Sequence, residues 1–259
     1  MATTSRTQLL VNSSVALVLA GMTTVTLHEL AHFVTSSALG HSTTLFATSV
    51  DSAATDVPTN IATAAAGPLF SLVFGLAIVF GGRRWGAGFG RLFWMWLGFT
   101  SAQTGFGYLM IAIIAPVGDT GKVLELLGAP AILFWVSLAV GIAGTLWLSR
   151  LFATRVVAYS DGTEPSMRTF GIFSWLIGTG ALVLIYAVTV MTLPADAIFV
   201  SMMGIVALAI FAPMFSFFYK RVSVPHEHLA LRTPVIWIAV TVVAALVVIL
   251  VLNRGVTLG

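Results

Sequence analysis

Residues 9–38 read LLVNSSVALVLAGMTTVTLHELAHFVTSSA, an apolar run longer than the roughly 20 residues that a membrane-crossing helix needs. Three ionisable side chains, His28, Glu29 and His32, stand close together near the end of this run. Each would cost at least ~2.5 kcal/mol at the centre of a bilayer if charged, so the cluster indicates a functional site; the alternative is a polar patch that stabilises helix packing. The run continues past Ala20 without the break typical of a cleaved signal peptide, which predicts a retained first membrane helix.

The rest of the chain has the same apolar character. Hydrophobic residues make up 58% of the 259 residues and charged residues only 8%, and the mean hydropathy is +1.03. Soluble domains carry roughly 25% charged residues, so this composition excludes a soluble enzyme, a disordered tail and a nucleic-acid-binding protein. We predict an all-α polytopic membrane protein with about seven transmembrane helices, over residues 9–38, 60–81, 90–115, 130–153, 169–192, 197–219 and 233–253.

The connection after the first helix differs from the others because it is rich in Thr and Val and has no helical periodicity. Residues 43–57 therefore predict a short β-like segment, and a plain solvated loop is the alternative. Cysteine is absent, which excludes disulfides, thiolate metal ligands and a cysteine nucleophile.

Basic residues predict the orientation of the chain in a cell membrane. With a cytoplasmic N-terminus, ten of the 12 Lys and Arg residues fall in cytoplasmic segments, and only Lys122 and Arg254 fall outside. The ten are Arg6, Arg83, Arg84, Arg91, Arg150, Arg155, Arg168, Lys220, Arg221 and Arg232. This count predicts a multi-pass protein whose HELAH segment opens on the extracytoplasmic side.

The HELAH segment at residues 28–32 has the spacing of a metal site. His28 and His32 are one helical turn apart, so both imidazoles lie on one face and can bind the same ion. Glu29 lies about 100° further around the helix, beside the metal, where it can accept a proton from water. A carboxylate added to two imidazoles favours one Zn²⁺ per chain, and iron or cobalt is an alternative.

A third ligand must come from elsewhere in the chain. Asp119 is the best candidate because it follows Pro116, where an apolar run breaks, and irregular backbone at membrane depth usually lines a protein-enclosed cavity. The alternative role for Asp119 is the N-cap of a short helix over residues 120–127. His41, Glu125 and Asp56 are lower-ranked candidate ligands.

The order of three motifs resembles the site-2 protease-type intramembrane metalloproteases, the peptidase M50 family. HELAH at 28–32 is followed by AGPLFS at 66–71, similar to the family's GPxxN element, and by PVGDTG at 116–121, similar to its proline and Asp-Gly element. Ser71 stands where the family usually has Asn, Thr120 where Gly is common, and Gln103 is a loose substitute for an asparagine ahead of the proline. Well-known members open toward the cytosol, which conflicts with the charge count.

The resemblance implies an intramembrane zinc metalloprotease that hydrolyses peptide bonds of a membrane-embedded or membrane-adjacent protein. It makes His28, His32 and Asp119 zinc ligands and Glu29 the general base. Gly67, Pro68 and Ser71 are then residues that bind substrate or support the site. Residues 1–128 would form the metalloprotease core and residues 129–259 a C-terminal four-helix membrane region.

Two other functions remain open at this point. An M50-like fold can serve as a non-catalytic membrane scaffold or subunit of a larger complex, and a transporter would need more polar residues along the later helices. The predicted partners are the lipid bilayer, a membrane protein or peptide substrate, and a partner subunit or second copy of the chain, but no nucleic acid.

Overall fold

The structure is a computed structural model that describes residues 5–82, 85–116, 118–191 and 195–258. The first helix, α1, is unusually long and runs from Arg6 to Ala38. It begins with a capping box, in which the Ser5 hydroxyl accepts from the Gln8 N–H and the Gln8 side chain accepts from the Ser5 N–H. Of the residues named above, Arg83, Arg84 and Val117 lie outside the described part, as does residue 192 at the end of one predicted helix.

Among the described residues, five helices are long and apolar enough to cross a membrane, which supports a multi-pass membrane protein. The first two are α1 and α2 (Val57–Gly81), and the third is α5 (Ala131–Tyr159). The fourth, Glu164–Val190, joins α6 (Glu164–Arg168) to α7 (Ser174–Val190) through a π-helical turn. The fifth contains α9 (Val235–Leu250) and ends at Arg254.

The other two predicted membrane segments depart from a continuous apolar helix. Residues 90–115 form α3 (Phe89–Ile111), which is long enough to cross but less apolar, because it carries Arg91, Gln103 and several hydroxyls. Residues 197–219 are not one helix: α8 (Ala195–Ala207) ends before two short 3₁₀ helices, Pro213–Phe217 and Tyr219–Arg221. Pro213 lacks an N–H and its ring crowds the carbonyl four residues earlier, so it disfavours a continuous α-helix through this segment.

Helix α3 is at the centre of the bundle, where it packs against α1, α2 and α5. Trp96 and Phe99 on α3 are fully buried among aromatic rings of neighbouring elements, including Phe152 and Phe211. The Trp96 indole N–H donates to the Ser13 hydroxyl at 3.0 Å, so the one polar atom of this side chain is satisfied. A tightly packed centre accounts for the lower hydropathy of α3, since little of it needs to face lipid.

A small sheet follows α1 and confirms the predicted β-like segment. Strand β1 (Thr43–Leu45) pairs antiparallel with β2 (Val50–Ser52) on one side and with β3 (Val256–Leu258) on the other. The third strand was not predicted, because a three-residue strand at the far end of the chain has no sequence signal of its own. The Ser36 hydroxyl of α1 hydrogen-bonds to the hydroxyls of Thr43 at 2.8 Å and Ser52 at 2.6 Å, and these bonds connect the sheet to α1.

The two ends of the bundle carry different charges. Arg6 contacts Asp161 at 3.7 Å and Arg91 contacts Glu227 at 3.2 Å, both at the end where α1 and α3 begin. Lys122 is at the opposite end, on the helix α4 (Asp119–Leu126). These three basic residues therefore lie at the ends of the bundle that the charge count assigns to them.

The C-terminal region contributes directly to the first part of the chain. Strand β3 completes the sheet, α7 and α9 pack against α1, and α8 contacts α3. The boundary near residue 128 remains a prediction from the sequence.

Candidate metal centre

The two histidines of the HELAH segment point the same ring nitrogen at each other. The Nε2 atoms of His28 and His32 are 3.1 Å apart, and both imidazoles are buried. Their spacing of four residues on α1 brings the rings into an edge-to-face arrangement with centroids 4.7 Å apart. Helix α1 therefore presents two nitrogen ligands at one point, as the sequence predicts.

Asp119 completes a triangle of ligand atoms. Its Oδ2 atom lies 3.0 Å from His28 Nε2 and 3.1 Å from His32 Nε2. Within the described part of the chain, these three residues are the one group of three metal-ligating side chains close enough to share an ion. The structure thus brings together the three predicted ligands, 87 and 91 residues apart in the chain.

The triangle has dimensions that suit zinc. With metal–ligand bonds of about 2.0–2.1 Å, tetrahedral geometry separates two ligand atoms by roughly 3.3–3.4 Å. The three separations here, 3.0, 3.1 and 3.1 Å, are within a few tenths of an ångström of that value. The donor set and its spacing therefore fit a zinc ion held by three protein ligands.

Hydrogen bonds fix the orientation of both rings. The Nδ1 atom of His32 donates to the Thr63 carbonyl oxygen at 2.6 Å, because a carbonyl can only accept, and this leaves Nε2 with a free lone pair. The Nδ1 atom of His28 lies 3.0 Å from the Ser71 hydroxyl, which can accept from it in the same way. Such partners behind ligating histidines normally select the tautomer and the ring orientation.

Helix α2 presents the predicted GP element to the histidines. A Cβ atom at Gly67 would lie 2.2 Å from His32 Nε2 and 2.7 Å from His28 Cε1, so only glycine leaves room for both rings. Pro68 is buried inside the same helix, and within the described part of the chain no hydrogen bond or ion pair joins it to the ligand triangle. Of the three predicted supporting residues, Gly67 and Ser71 touch the histidines directly.

The position of Asp119 depends on a tight turn before α4. The N-cap of α4 is Gly118, and Asp119 is the first helical residue, so Asp119 is not the N-cap. A Cβ at Gly121 would lie 2.6 Å from the Pro116 carbonyl oxygen, which explains why a glycine stands two residues after the carboxylate. Burial raises the pKa of Asp119, but the electrostatic and hydrogen-bond interactions with His32 and His28 lower it by more.

The lower-ranked candidate ligands lie elsewhere. His41 Nε2 is 3.7 Å from Asp56 Oδ2, and Asp56 caps α2 by accepting from the Thr59 N–H at 2.9 Å. This backbone hydrogen bond lowers the pKa of Asp56. Glu125 is an exposed residue of α4 and does not belong to the ligand group.

Glu29 borders a cavity of about 510 Å³ that also contains the ligand triangle. Its side chain is buried, and His28, His32 and Asp119 are its ionisable neighbours. Strand β2 and helices α3, α4 and α8 supply other parts of the wall. A carboxylate, three ligand atoms and a cavity are therefore present in one place.

Sequence reasoning missed two contributors to this site. Tyr108 of α3 stacks on the His28 ring, with centroids 4.8 Å apart and planes 6° from parallel, and its hydroxyl hydrogen-bonds to Asp119. A single aromatic residue in an apolar helix carries no signal for such a role. The Thr63 carbonyl is the second contributor, and a backbone atom is invisible to any reading of residue types.

Comparisons with protein-family models, with curated proteins and with solved structures find no match to this chain.

Proposed function

We propose that this chain is an intramembrane zinc metalloprotease of the site-2 protease type, acting on a membrane-embedded or membrane-adjacent protein. One observation carries the proposal: three ligand atoms at mutual distances of 3.0–3.1 Å lie beside a buried glutamate in a cavity. The HExxH spacing places Glu29 on a different face of α1 from His28 and His32.

His28, His32 and Asp119 would hold the zinc ion. A zinc ion with three protein ligands supplies Lewis acidity to a water molecule and to a carbonyl oxygen. Glu29 accepts the proton of the attacking water and then donates it to the leaving amine as the C–N bond breaks. Ser71 and the Thr63 carbonyl hold the two imidazoles in position throughout.

Strand β2 would hold the substrate. A peptide bond in a transmembrane helix is inaccessible until its i to i−4 hydrogen bonds open, so the substrate must be extended at the cleavage point. Among the described strands, β2 is at the sheet edge and pairs only with β1, and its residues border the cavity. An extended segment can add to such an edge through main-chain hydrogen bonds.

Substitution of Glu29 tests the mechanism. We expect Glu29→Gln to bind one zinc ion per chain and to cleave no substrate, because the ligand triangle is intact and the proton acceptor is lost. Glu125→Gln, the same change at an exposed position of α4, is the matched control and should retain activity. His28→Ala should lose zinc.

Zinc content and proteolysis of purified protein are the two measurements. Full activity of Glu29→Gln would refute the assignment of the base. Stoichiometric zinc without cleavage by the wild type, together with a permanently bound partner chain, would favour the scaffold function instead.

We further propose that α3 and the interrupted segment 195–221 also cross the bilayer, giving seven crossings with the N-terminus cytoplasmic and the site extracytoplasmic. Arg6 and Arg91 at the end opposite the site, together with the count of basic residues in the sequence, support this direction. Because the chain has no cysteine, Ala53→Cys near the site and Ala87→Cys at the other end, both exposed, would each provide a single thiol. A membrane-impermeant thiol reagent applied to intact cells should label the first and not the second; the reverse pattern would overturn the orientation.

A further inference from the structure

Helix α8 forms one wall of the cavity that contains the ligand triangle. Ser201, Gly204 and Ile205 of α8 border the cavity, as does Leu208, the first residue after the helix. Their spacing of three, four and seven residues places them on one face of the helix. Helix α8 belongs to the C-terminal region, outside the three motifs that resemble the M50 family, so that resemblance gives this face no role.

The face of α8 meets α1 directly before the HELAH segment. An added Cβ at Gly21 would lie 3.0 Å from Leu208 Cδ2, so Leu208 packs against α1 at this point. Val25, one turn after Gly21 on the same face, borders the cavity, and His28 follows about 4.5 Å further along the helix. Because Val25, Ile205 and Leu208 are apolar, the cavity has an apolar end one helical turn from the metal ligands.

Gly204 keeps this part of the wall open. Among the residues that the structure describes, a Cβ added at Gly204 would meet nothing within 4 Å, whereas one added at Gly75 would lie 2.1 Å from the Ala102 backbone nitrogen. Close helix packing therefore does not require a glycine at position 204, and glycine is unfavourable in a helix interior. What the missing side chain preserves is free volume, in a cavity whose ~510 Å³ is within the range that binds small organic groups.

We propose that α1 and α8 form a pocket for one apolar side chain of the substrate, at a residue next to the bond that is cut, and that Gly204 sets the largest side chain accepted. This inference rests on the proposed function and names its substrate class: segments with a large apolar residue, such as leucine or phenylalanine, at the cleavage point. A polar side chain in this pocket would find no partner on Val25, Ile205 or Leu208, and leaving it unpaired is costly.

Three hydroxamates that share one zinc-binding group test the pocket. Acetohydroxamate carries a methyl group, isovalerohydroxamate the isobutyl group of a leucine side chain, and phenylacetohydroxamate the benzyl group of a phenylalanine side chain. Their affinities are measured by calorimetry on the purified, zinc-loaded full chain, and on Gly204→Ala and Gly204→Val, which add a methyl and an isopropyl group to the wall. Gly180→Val is the matched control, at an exposed glycine inside α7 whose Cβ would also meet nothing within 4 Å.

We expect the wild type to bind isovalerohydroxamate and phenylacetohydroxamate at least ~10-fold more tightly than acetohydroxamate, because an added methylene in an apolar pocket is worth about 10- to 200-fold. Gly204→Val should lose this preference and bind acetohydroxamate as the wild type does. Gly204→Ala should weaken phenylacetohydroxamate more than isovalerohydroxamate, and Gly180→Val should keep the wild-type order.

Each of the other results would overturn the inference. No preference in the wild type, or an unchanged preference in both Gly204 variants, would remove the side-chain pocket, while binding of acetohydroxamate would leave the proposed function standing. Equal weakening of all three probes in both Gly204 variants would mean that α8 supports the metal site instead. Failure of all three probes to bind the wild type would refute the proposed function, and the inference with it.

Discussion

Gly67→Ala is the change that most directly tests the ligand triangle. The added Cβ would lie 2.2 Å from His32 Nε2, 2.6 Å from His32 Cε1 and 2.7 Å from His28 Cε1. Ordinary contacts begin near 3.4 Å, so the His32 ring must retreat by about 1.2 Å. It cannot rotate freely away, because its Nδ1 atom is bound to the Thr63 carbonyl.

The magnitude follows from the tolerance of metal–ligand bonds. Zinc–ligand distances keep within about 0.2 Å of their ideal values, and the required displacement is several times larger. The variant would therefore lose a ligand, a larger defect than the 10- to 100-fold loss of affinity typical when a supporting hydrogen bond is removed. We expect zinc affinity to fall at least ~100-fold.

The assay is competition for zinc between the purified variant and a chelator of known affinity. Gly180→Ala is the matched control: it is also inside a helix, α7, and its Cβ would meet nothing within 4 Å. Gly75→Ala is the contrasting variant, because its Cβ would lie 2.1 Å from the Ala102 backbone nitrogen and would disrupt α2–α3 packing. Wild-type zinc affinity in Gly67→Ala would refute the geometry of the site.

Two further predictions concern the groups behind the ligands. Ser71→Ala should weaken zinc binding about ten- to a hundredfold, because His28 loses the partner of its Nδ1 atom. The control is Ser149→Ala, at a buried serine of α5, which should not change zinc affinity. Equal affinities in both variants would contradict a supporting role for Ser71. Tyr108→Phe keeps the ring stacked on His28 but removes the hydroxyl bound to Asp119, so chelator competition should show a loss of about tenfold, and an unchanged value would mean that the stacking alone matters.

The fold was predictable where one local pattern is sufficient. An apolar run such as 130–153 requires a helix because a helix satisfies its backbone inside a bilayer, and the structure has α5 there. The Thr- and Val-rich segment after α1 does form strands. The interruption of residues 197–219 was missed, although Pro213 is visible in the sequence, because the composition of the segment is as apolar as that of a continuous helix. Strand β3 was missed because its pairing with β1 joins residues more than 200 positions apart.

The HELAH spacing alone determined that two imidazoles share a helix face with a glutamate beside them, since the 3.6-residue period of an α-helix fixes those directions. Only the tertiary positions of α2 and α4 beside the two histidines decided what lies opposite them. Helix α2 supplies a glycine that leaves room for the rings and a hydroxyl and a carbonyl that orient them, and α4 supplies Asp119 as the third ligand atom. Tertiary packing also decided that Tyr108 and Gln103, among the many residues of α3, border the cavity. The side of a helix that borders a cavity depends on the elements packed around it, so the sequence of the helix alone does not determine it.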